Sequence, residues 1–323
     1  MAAYRVTRRG RVSRRRAPRG RSRFARLSKG RTRRSVRSRR RPMGRKAILE
    51  ITSVKKRDTM VGLNFNQSGG PVPAFEVDFG FGGTVEDPQT LSMMLWCPTS
   101  RAKAGRAQES KMARTADNCY YKGLSEKIHI STSDSEAWQW RRIVFAKKNV
   151  FDADLLPRSS YVKETEELED IPLSTSANPP NTSVVQQGLR RYSRNLDLLT
   201  ADERNYLVNE IVMGAFGVDW ADLMIAPMNK FSIRVLSDVK RNLRSGNDTG
   251  IMKDYNSWIP LNKTMRYESG EAGSIDINTT FAGQDSPLED IYVLDIFRKA
   301  QNVNSVASTA TMSSVATVYW HEK

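Results

Sequence analysis

The sequence predicts an all-β body behind a basic N-terminal arm. Two observations support this prediction. Arginine is concentrated at the start of the chain, and the remainder contains stretches in which apolar and polar residues alternate with a period of two, separated by Gly, Pro and Asn clusters. Strand and helix signals do not alternate along the chain, which argues against a parallel α/β sheet and favours an antiparallel sandwich.

The arm spans residues 1–46 and is strongly cationic. It contains 19 Arg, 2 Lys and no carboxylate, whereas residues 47–323 contain 31 basic and 35 acidic side chains. Of the net charge of +17, the arm therefore contributes +21 and the body −4. Because such a segment has almost nothing apolar to bury, we expect it to be disordered when it is unbound.

The composition of the arm indicates a partner that carries phosphate. A guanidinium is a planar donor fork that binds phosphate oxygens in pairs, whereas an ammonium acts as a point charge. Neutralising phosphates releases counterions, which gives sequence-independent affinity that falls steeply with salt. The nucleic-acid-binding residues predicted in the arm are Arg5, Arg8, Arg9, Arg11, Arg14, Arg15, Arg16, Arg19, Arg21, Arg23, Arg26, Arg31, Arg33, Arg34, Arg37, Arg39, Arg40, Arg41, Arg45 and Lys46.

Three other uses of the arm are weighed against nucleic-acid binding. The clusters at 14–23 and 33–46 also have the composition of nuclear import signals, and the same residues can serve both purposes. A tail that only aids solubility has no need of Arg. A membrane-surface segment is expected to have a lipid anchor motif or an apolar stripe, and the arm has neither.

The body is expected to form about eight strands. The clearest alternation lies at 124–131, where Glu126 is the one exception, and at 231–239. Less regular candidates are 47–54, 92–96, 138–145, 258–267, 291–297 and 315–320. The apolar runs are interrupted or far shorter than the roughly 20 residues that cross a bilayer, and no apolar segment follows the N-terminal charges. We therefore expect neither a membrane span nor a signal peptide.

One helix is predicted within the body. Thr200 and Glu203 have the spacing of a capping box at a helix N-terminus. An apolar stripe follows at Leu207, Val208, Ile211 and Val212. This stripe is typical of a packing face.

A long insertion is predicted at about residues 146–198, where strand signals are few. It contains an acidic run at 152–170, and connections of this length are uncommon unless they serve function. Because nucleic acid would repel its negative charge, we expect the run to lie on the face of the body opposite the arm's ligand.

The sequence contains no motif for catalysis or metal binding. There is no phosphate-binding loop and no nucleophile elbow, and the glycines at 80–83 do not complete a dinucleotide-binding motif. His129 and His321 stand alone, and Cys97 and Cys119 lack the spacing of zinc ligands. We therefore expect a protein that is not an enzyme, binds no metal or cofactor, and keeps both cysteines as free thiols.

Several motifs resemble the coat proteins of genomoviruses, which are small viruses with circular single-stranded DNA. These motifs are KKRDTM at 55–60, WCP at 96–98 and CYYKGLSEKIHISTSDSEAWQWRRIVF at 119–145. WQWRR at 138–142 is the most specific part. The resemblance is strong over residues 46–146 and weak through the insertion.

The resemblance implies a single eight-stranded antiparallel jelly roll with long loop insertions and one or two short helices. It also implies a T=1 shell of 60 copies around a circular single-stranded DNA genome, located in the virion and the host nucleus. The expected partners are this DNA, other copies of the chain and a host nuclear import receptor, with no membrane. Sixty arms would supply about 1,260 positive charges, enough for a large share of the phosphates of about two thousand nucleotides.

Two further groups of site residues are expected on the body. The first group is expected to contact DNA and comprises Lys55, Lys56 and Arg57. The alternative is that these residues form a solvated strand end. The second, expected to contact a neighbouring subunit, is Trp138, Trp140, Arg141 and Arg142. Because they are successive residues of a strand, Arg141 and Arg142 are expected to point to opposite faces.

The alternative function is that of a cellular chromatin- or ribosome-like protein with a basic tail. The globular part of such a protein is usually basic as well, whereas this body is net negative. A nuclease or replication initiator would need clustered His or metal-binding carboxylates, which the sequence lacks.

Overall fold

A computed structural model describes residues 44–63, 77–78, 91–104, 112–167, 189–246, 249–272, 275–299 and 309–323. The chain divides into two units, 1–44 and 45–323. All of the first unit except Gly44 lies outside the described residues, and so do the binding residues predicted from Arg5 to Arg41. The second unit is mostly β, with curled sheets, which confirms the predicted all-β class.

The larger sheet contains eight strands. They are β1 (Val54–Leu63), β2 (Val77–Asp78), β4 (Asn118–Thr132), β6 (Lys163–Glu167), β7 (Leu189–Asn195), β9 (Met252–Ala272), β10 (Ile275–Ala282) and β12 (Ala310–Glu322). Their order is β10-β9-β4-β12-β1-β7-β6, and β2 pairs with β12.

The smaller sheet contains four strands in the order β3-β11-β5-β8. They are β3 (Ser92–Trp96), β5 (Trp138–Lys147), β8 (Ile233–Leu243) and β11 (Asp290–Lys299). The remaining described elements are two α-helices, α1 (Arg45–Thr52) and α2 (Ala201–Ile211), and a short 3-10 helix at Arg158–Ser160. The described residues therefore hold twelve strands, more than the eight that the sequence predicts.

Eight of the strands form four antiparallel pairs: β1 with β12, β3 with β11, β4 with β9 and β5 with β8. Counted along the chain within this set, the first strand pairs with the last, the second with the seventh, the third with the sixth and the fourth with the fifth. The chain therefore folds as a series of nested hairpins. The other four strands, β2, β6, β7 and β10, lie in the connections.

The sequence prediction fails at the start of the body. Residues 47–54 were expected to form a strand, but α1 occupies most of this segment and β1 follows it. Ile48 and Ile51 are three residues apart, which is also the spacing of neighbours on a helix, and Thr52 Oγ1 donates to the Ile48 carbonyl at 3.0 Å. In β1, charged Lys56 and Asp58 point inward, so the strand lacks the usual apolar alternation.

The other predicted strands are confirmed in position. The segments at 92–96, 124–131, 138–145, 231–239, 258–267, 291–297 and 315–320 overlap β3, β4, β5, β8, β9, β11 and β12. The predicted capping box is also present, since Thr200 Oγ1 accepts from Glu203 N and the Glu203 carboxylate accepts from Thr200 N at 2.7 Å.

The smaller sheet is buried on both faces. One face packs against the larger sheet through residues that include Trp96, Trp140 and Val293. The opposite face is covered by the predicted apolar stripe of α2 and by residues 151–162 of the insertion, which pack around Phe145 and Leu294. Residues 151–162 therefore lie on the side of the body away from the outer face of the larger sheet, whereas the acidic run continues into β6, an edge strand of the larger sheet.

A cluster of four buried charges lies between the two sheets. Glu126 and Asp295 each face both Arg142 and Arg194, and Trp140 Nε1 donates to Asp295 at 2.8 Å. Burial lowers the pKa of Arg142 to about 10, so the guanidinium stays protonated at neutral pH. The exception in the alternation of β4 is thus an inward-pointing carboxylate that compensates buried guanidiniums.

We expect Glu126→Gln to destabilise the body, because it leaves two buried guanidiniums with one carboxylate. Removing one partner of a buried ion pair costs about 3–5 kcal/mol of the free energy of unfolding. The control is Asp254→Asn, which breaks an exposed contact 2.7 Å from His129 and should change that energy by at most about 1 kcal/mol. Denaturant unfolding of the unassembled chain measures both, and equal small losses would contradict the expectation.

Both cysteines are free thiols, as predicted, and both are buried. Burial raises the pKa of Cys97 and of Cys119, and the nearby Glu322 carboxylate adds to the rise at Cys119. Because the thiolate is the reactive form, both side chains should be inert in the folded protein.

We expect native protein at pH 8 to resist alkylation by iodoacetamide, because neither thiol is ionised or accessible. Protein unfolded in guanidinium should take up two equivalents, which mass spectrometry counts. Rapid modification of either cysteine in the native state would show that its environment is open to solvent.

Candidate nucleic-acid interface

The candidate interface is the outer face of the larger sheet. Its first element is α1, which follows the arm in the chain and lies against one end of this face. Glu50 of α1 is 3.9 Å from Lys55 Nζ, 3.6 Å from Lys122 Nζ and 3.9 Å from His321 Nδ1. The first helix of the second unit therefore contacts this face.

The strand register determines which side chains share this face, because paired residues of antiparallel strands point to the same side. Across β1, β12 and β4, one row is Lys55, His321 and Tyr120, and the next is Arg57, Tyr319 and Gly123. Two further rows are Thr59, Thr317 and Ser125, then Val61, Val315 and Lys127. β9 extends the last two rows with Trp258 and Asn256.

The charged side chains of these four outward rows are Lys55, Arg57 and Lys127, and all three are basic. Arg57, Lys127 and Arg266 are exposed, and the side chain of Lys55 is 64% exposed. Two carboxylates also lie on this side: Asp254 of β9 pairs with His129 and contacts it, and Glu50 of α1 lies near Lys55 and Lys122. A body that is net negative thus presents one face suited to phosphate.

Lys56 does not belong to this face, which corrects the expectation that Lys55, Lys56 and Arg57 all contact DNA. Its side chain points inward and is 8% exposed. Its ammonium lies 2.9 Å from Glu322 and donates to the Ala113 carbonyl and to Thr115 Oγ1, both at 2.8 Å. The pleat of β1 separates Lys56 from its neighbours, so Lys55 and Arg57 alone remain available to a ligand.

Arg45 and Lys46, the last of the predicted binding residues in the arm, lie in the first turn of α1. Their side chains are outside the described part of the chain. The structure thus adds the position of their helix to the sequence prediction, and nothing about their contacts.

The predicted assembly residues are buried inside one chain, which contradicts their expected role. Trp138 and Trp140 are each 1% exposed and pack between the sheets. The Trp140 ring stacks on Phe297, with 5.9 Å between ring centroids. A strand with two covered faces has no surface for a neighbouring subunit.

The two arginines that follow are also occupied within the chain, and they point to opposite faces as predicted. Arg141 forms a two-pronged contact with Asp238, at 3.0 and 2.7 Å, and donates to the carbonyls of Leu223 and Ala226. Arg141 therefore links the loop that contains Leu223 and Ala226 to the smaller sheet. Arg142 points between the sheets into the buried charge cluster.

A cavity of about 380 Å³ lies at the end of the outer face next to α1. Its lining includes Glu50, Tyr120, His321 and Lys323. The Tyr120 and His321 rings are 6.1 Å apart. Burial lowers the pKa of His321, so its ring is neutral at pH 7 and the positive charge here comes from lysine.

Sequence reasoning missed Lys127, Trp258 and Tyr319 as site residues. Each occupies an outward position of a strand, so the period of two identifies their shared face once the strands are paired. The pairing itself joins residues more than a hundred positions apart and leaves no local signal.

Within the described ranges, no three His, Cys, Asp or Glu side chains are grouped as a metal site requires. No described helix is both long enough and apolar enough to cross a membrane. Comparison of the chain with protein-family models and with curated proteins returned no match.

We expect the double variant Lys55→Ala, Arg57→Ala to weaken binding of the unassembled chain to single-stranded oligonucleotides. Losing two phosphate contacts should reduce the slope of log affinity against log salt by about 1.4, at about 0.7 per contact. Fluorescence anisotropy across a salt series measures this slope.

The matched control removes two exposed lysines elsewhere, Lys148→Ala and Lys230→Ala, and changes net charge equally. It should affect the slope much less. Equal effects of the two double variants would show that only total charge matters and that the outer face is not a binding surface.

Proposed function

We propose that the chain is a viral capsid subunit that assembles as 60 copies in a T=1 shell and packages circular single-stranded DNA, as the resemblance to genomovirus coat proteins implies. The arm binds the DNA and also serves as a nuclear import signal. The outer face of the larger sheet forms a second DNA-binding surface.

The observation that carries the proposal is the nested pairing of eight strands. It leaves two four-stranded sets, β1-β12-β4-β9 and β3-β11-β5-β8. This is the order expected when a long hairpin wraps into the two Greek keys of a jelly roll, an architecture that recurs in viral capsids. β2, β6, β7 and β10 are then additions in the loops of the jelly roll.

The distribution of charge supports the same function. A shell subunit needs cations where it meets the genome and a different surface where it meets solvent or neighbours. Here 21 positive charges lie in residues 1–46, and the remaining residues are net −4. The basic outward rows of the larger sheet lie beside the element that continues from the arm.

The second candidate function is that of a cellular nucleic-acid-binding protein. A basic arm and a basic sheet face are sufficient for such a role without any assembly. Self-association separates the two functions, because only the capsid subunit must form closed particles of one size.

We expect the purified full-length chain to form uniform closed particles. Sixty copies of a 36.6 kDa chain give a protein mass of about 2.2 MDa, to which packaged DNA adds. Mass photometry and electron microscopy measure the particles, and nuclease-protected DNA reports packaging. Monomers or dimers at every salt concentration would contradict the capsid function and favour the cellular alternative.

The role of the arm is tested by replacing its arginines from Arg5 to Arg41 with Gln at unchanged length. Because the body keeps its own contacts, shells should still form but protect much less DNA. A variant with the arginines replaced by Lys keeps the charge and should retain most of the packaging. Normal DNA content in the Gln variant would contradict the assigned role.

A further inference from the structure

One tryptophan differs from all the others in its exposure. The chain contains six tryptophans, and all six lie in described ranges. Trp96, Trp138, Trp140, Trp220 and Trp320 are at most 9% exposed, whereas Trp258 is 53% exposed. A large aromatic side chain that stays half exposed loses part of the stabilisation that burial would give. Exposed aromatic residues of this kind are typical of binding surfaces.

The sheet is shaped to hold the Trp258 ring against its outer face. Trp258 is on β9, next to Gly123 of β4, and a Cβ atom at Gly123 would lie 2.6 Å from Trp258 Cζ2. A side chain at position 123 would therefore displace the ring. The Tyr319 ring lies beside it, with 5.9 Å between the ring centroids and a tilt of 59°.

Basic side chains flank this aromatic pair on two sides. Arg57 pairs with Tyr319 across β1 and β12, so it stands about 5 Å away in the next strand. Lys127 is two residues along β4 from Ser125, the residue that pairs with Trp258. Together, Arg57, Tyr319, Trp258 and Lys127 form a band of alternating cationic and aromatic character.

We propose that this band binds unpaired bases of a single-stranded nucleic acid, with a base stacked on Trp258 and phosphates held by Arg57 and Lys127. In a duplex the base faces are stacked inside the helix, so a ring exposed on the surface of a sheet cannot reach them. An unpaired base has a free face, and stacking on an aromatic side chain is tolerant of sequence.

This inference rests on the nucleic-acid binding in the proposed function and deepens it. The arm binds phosphates by charge, which single strands and duplexes share. The band adds a stacking contact, which distinguishes a single strand from a duplex. It would therefore contribute to the selection of a single-stranded genome.

Charge favours nucleic acid over a second copy of the chain as the occupant of this face. A two-fold contact would bring the same patch of both subunits together, so that Lys55, Arg57 and Lys127 of one subunit face the basic residues of the other. Such like charges repel, whereas phosphates would neutralise them. The surface around Trp258 is thus complementary to an anion.

The first test compares Trp258→Ala with Trp258→Phe in the unassembled full-length chain. The probes are a labelled single-stranded oligonucleotide and the blunt duplex of the same sequence, measured by anisotropy at one fixed salt concentration. Loss of one stacked base should weaken single-strand binding about 5- to 150-fold, which corresponds to about 1–3 kcal/mol. Duplex binding should stay unchanged, and Trp258→Phe should restore most of the loss.

The second test uses the fluorescence of the native chain. Because Trp258 alone among the tryptophans is well exposed, iodide should quench mainly its emission, and a bound single strand should protect it. Trp258→Phe should remove this iodide-sensitive fraction. Protection by the duplex to the same extent would overturn the proposed selectivity.

Other outcomes also decide against the band. If Trp258→Ala weakens single-strand and duplex binding equally, Trp258 has only a general structural role. If it weakens neither, Trp258 is not part of the binding surface. A change in oligomeric state without a change in affinity would assign the face to a second copy. Emission that iodide cannot reach in the free protein would mean that the chain itself covers the ring.

The two levels of the proposal fail separately. If the chain never forms shells but Trp258 still distinguishes single strands from duplexes, the capsid function fails and the band stands. If shells form and package DNA normally with Trp258→Ala, and the anisotropy is also unchanged, the band fails and the capsid function stands.

Discussion

The alternation of side chains along β1 determines which charges of this strand are buried and which meet solvent. Because successive residues of a strand point to opposite faces, Lys56 and Asp58 enter the interior while Lys55 and Arg57 stay outside. The inward pair is stabilised by partners from distant segments: Lys56 by Glu322, and Asp58 by Arg101 at 2.7 Å. The outward pair extends the basic face, where Lys55 lies 3.9 Å from Glu50 of α1. The inward residues of β1 therefore stabilise the fold, and the outward residues belong to the proposed binding face.

The two sheets have different surroundings, and this difference gives the subunit two distinct sides. The smaller sheet is covered on both faces, by the larger sheet on one side and by α2 with part of the insertion on the other. The larger sheet keeps an outer face with exposed basic and aromatic side chains. In the proposed shell, this asymmetry would let one side meet the genome while the loops on the other side remain free for different contacts. The buried pairing of Glu126 and Asp295 with two arginines holds the sheets together without leaving charge uncompensated.

The sequence predicts the strands with alternating apolar residues and the capped helix, because period and capping are local signals. It fails at β1, where the inward residues Lys56 and Asp58 are charged and their partners are far away in the chain. The same reason explains the error at Trp138 to Arg142: the motif is recognisable, but its burial depends on a second sheet and a loop around Leu223 that sequence cannot place. Exposure of Trp258 is equally a property of strand pairing. For the arm, in contrast, the sequence is the source of the prediction: its composition alone indicates a phosphate partner, and its residues up to Met43 lie outside the described part of the chain.

The most direct measurement is the structure of the particle assembled by the full-length chain with its nucleic acid inside. We expect the outer face of the larger sheet to line the interior, with nucleic-acid density against Arg57 and Trp258. Particles in which that face is turned to the exterior, or is covered by a neighbouring subunit, would contradict the assignment of this surface to the genome.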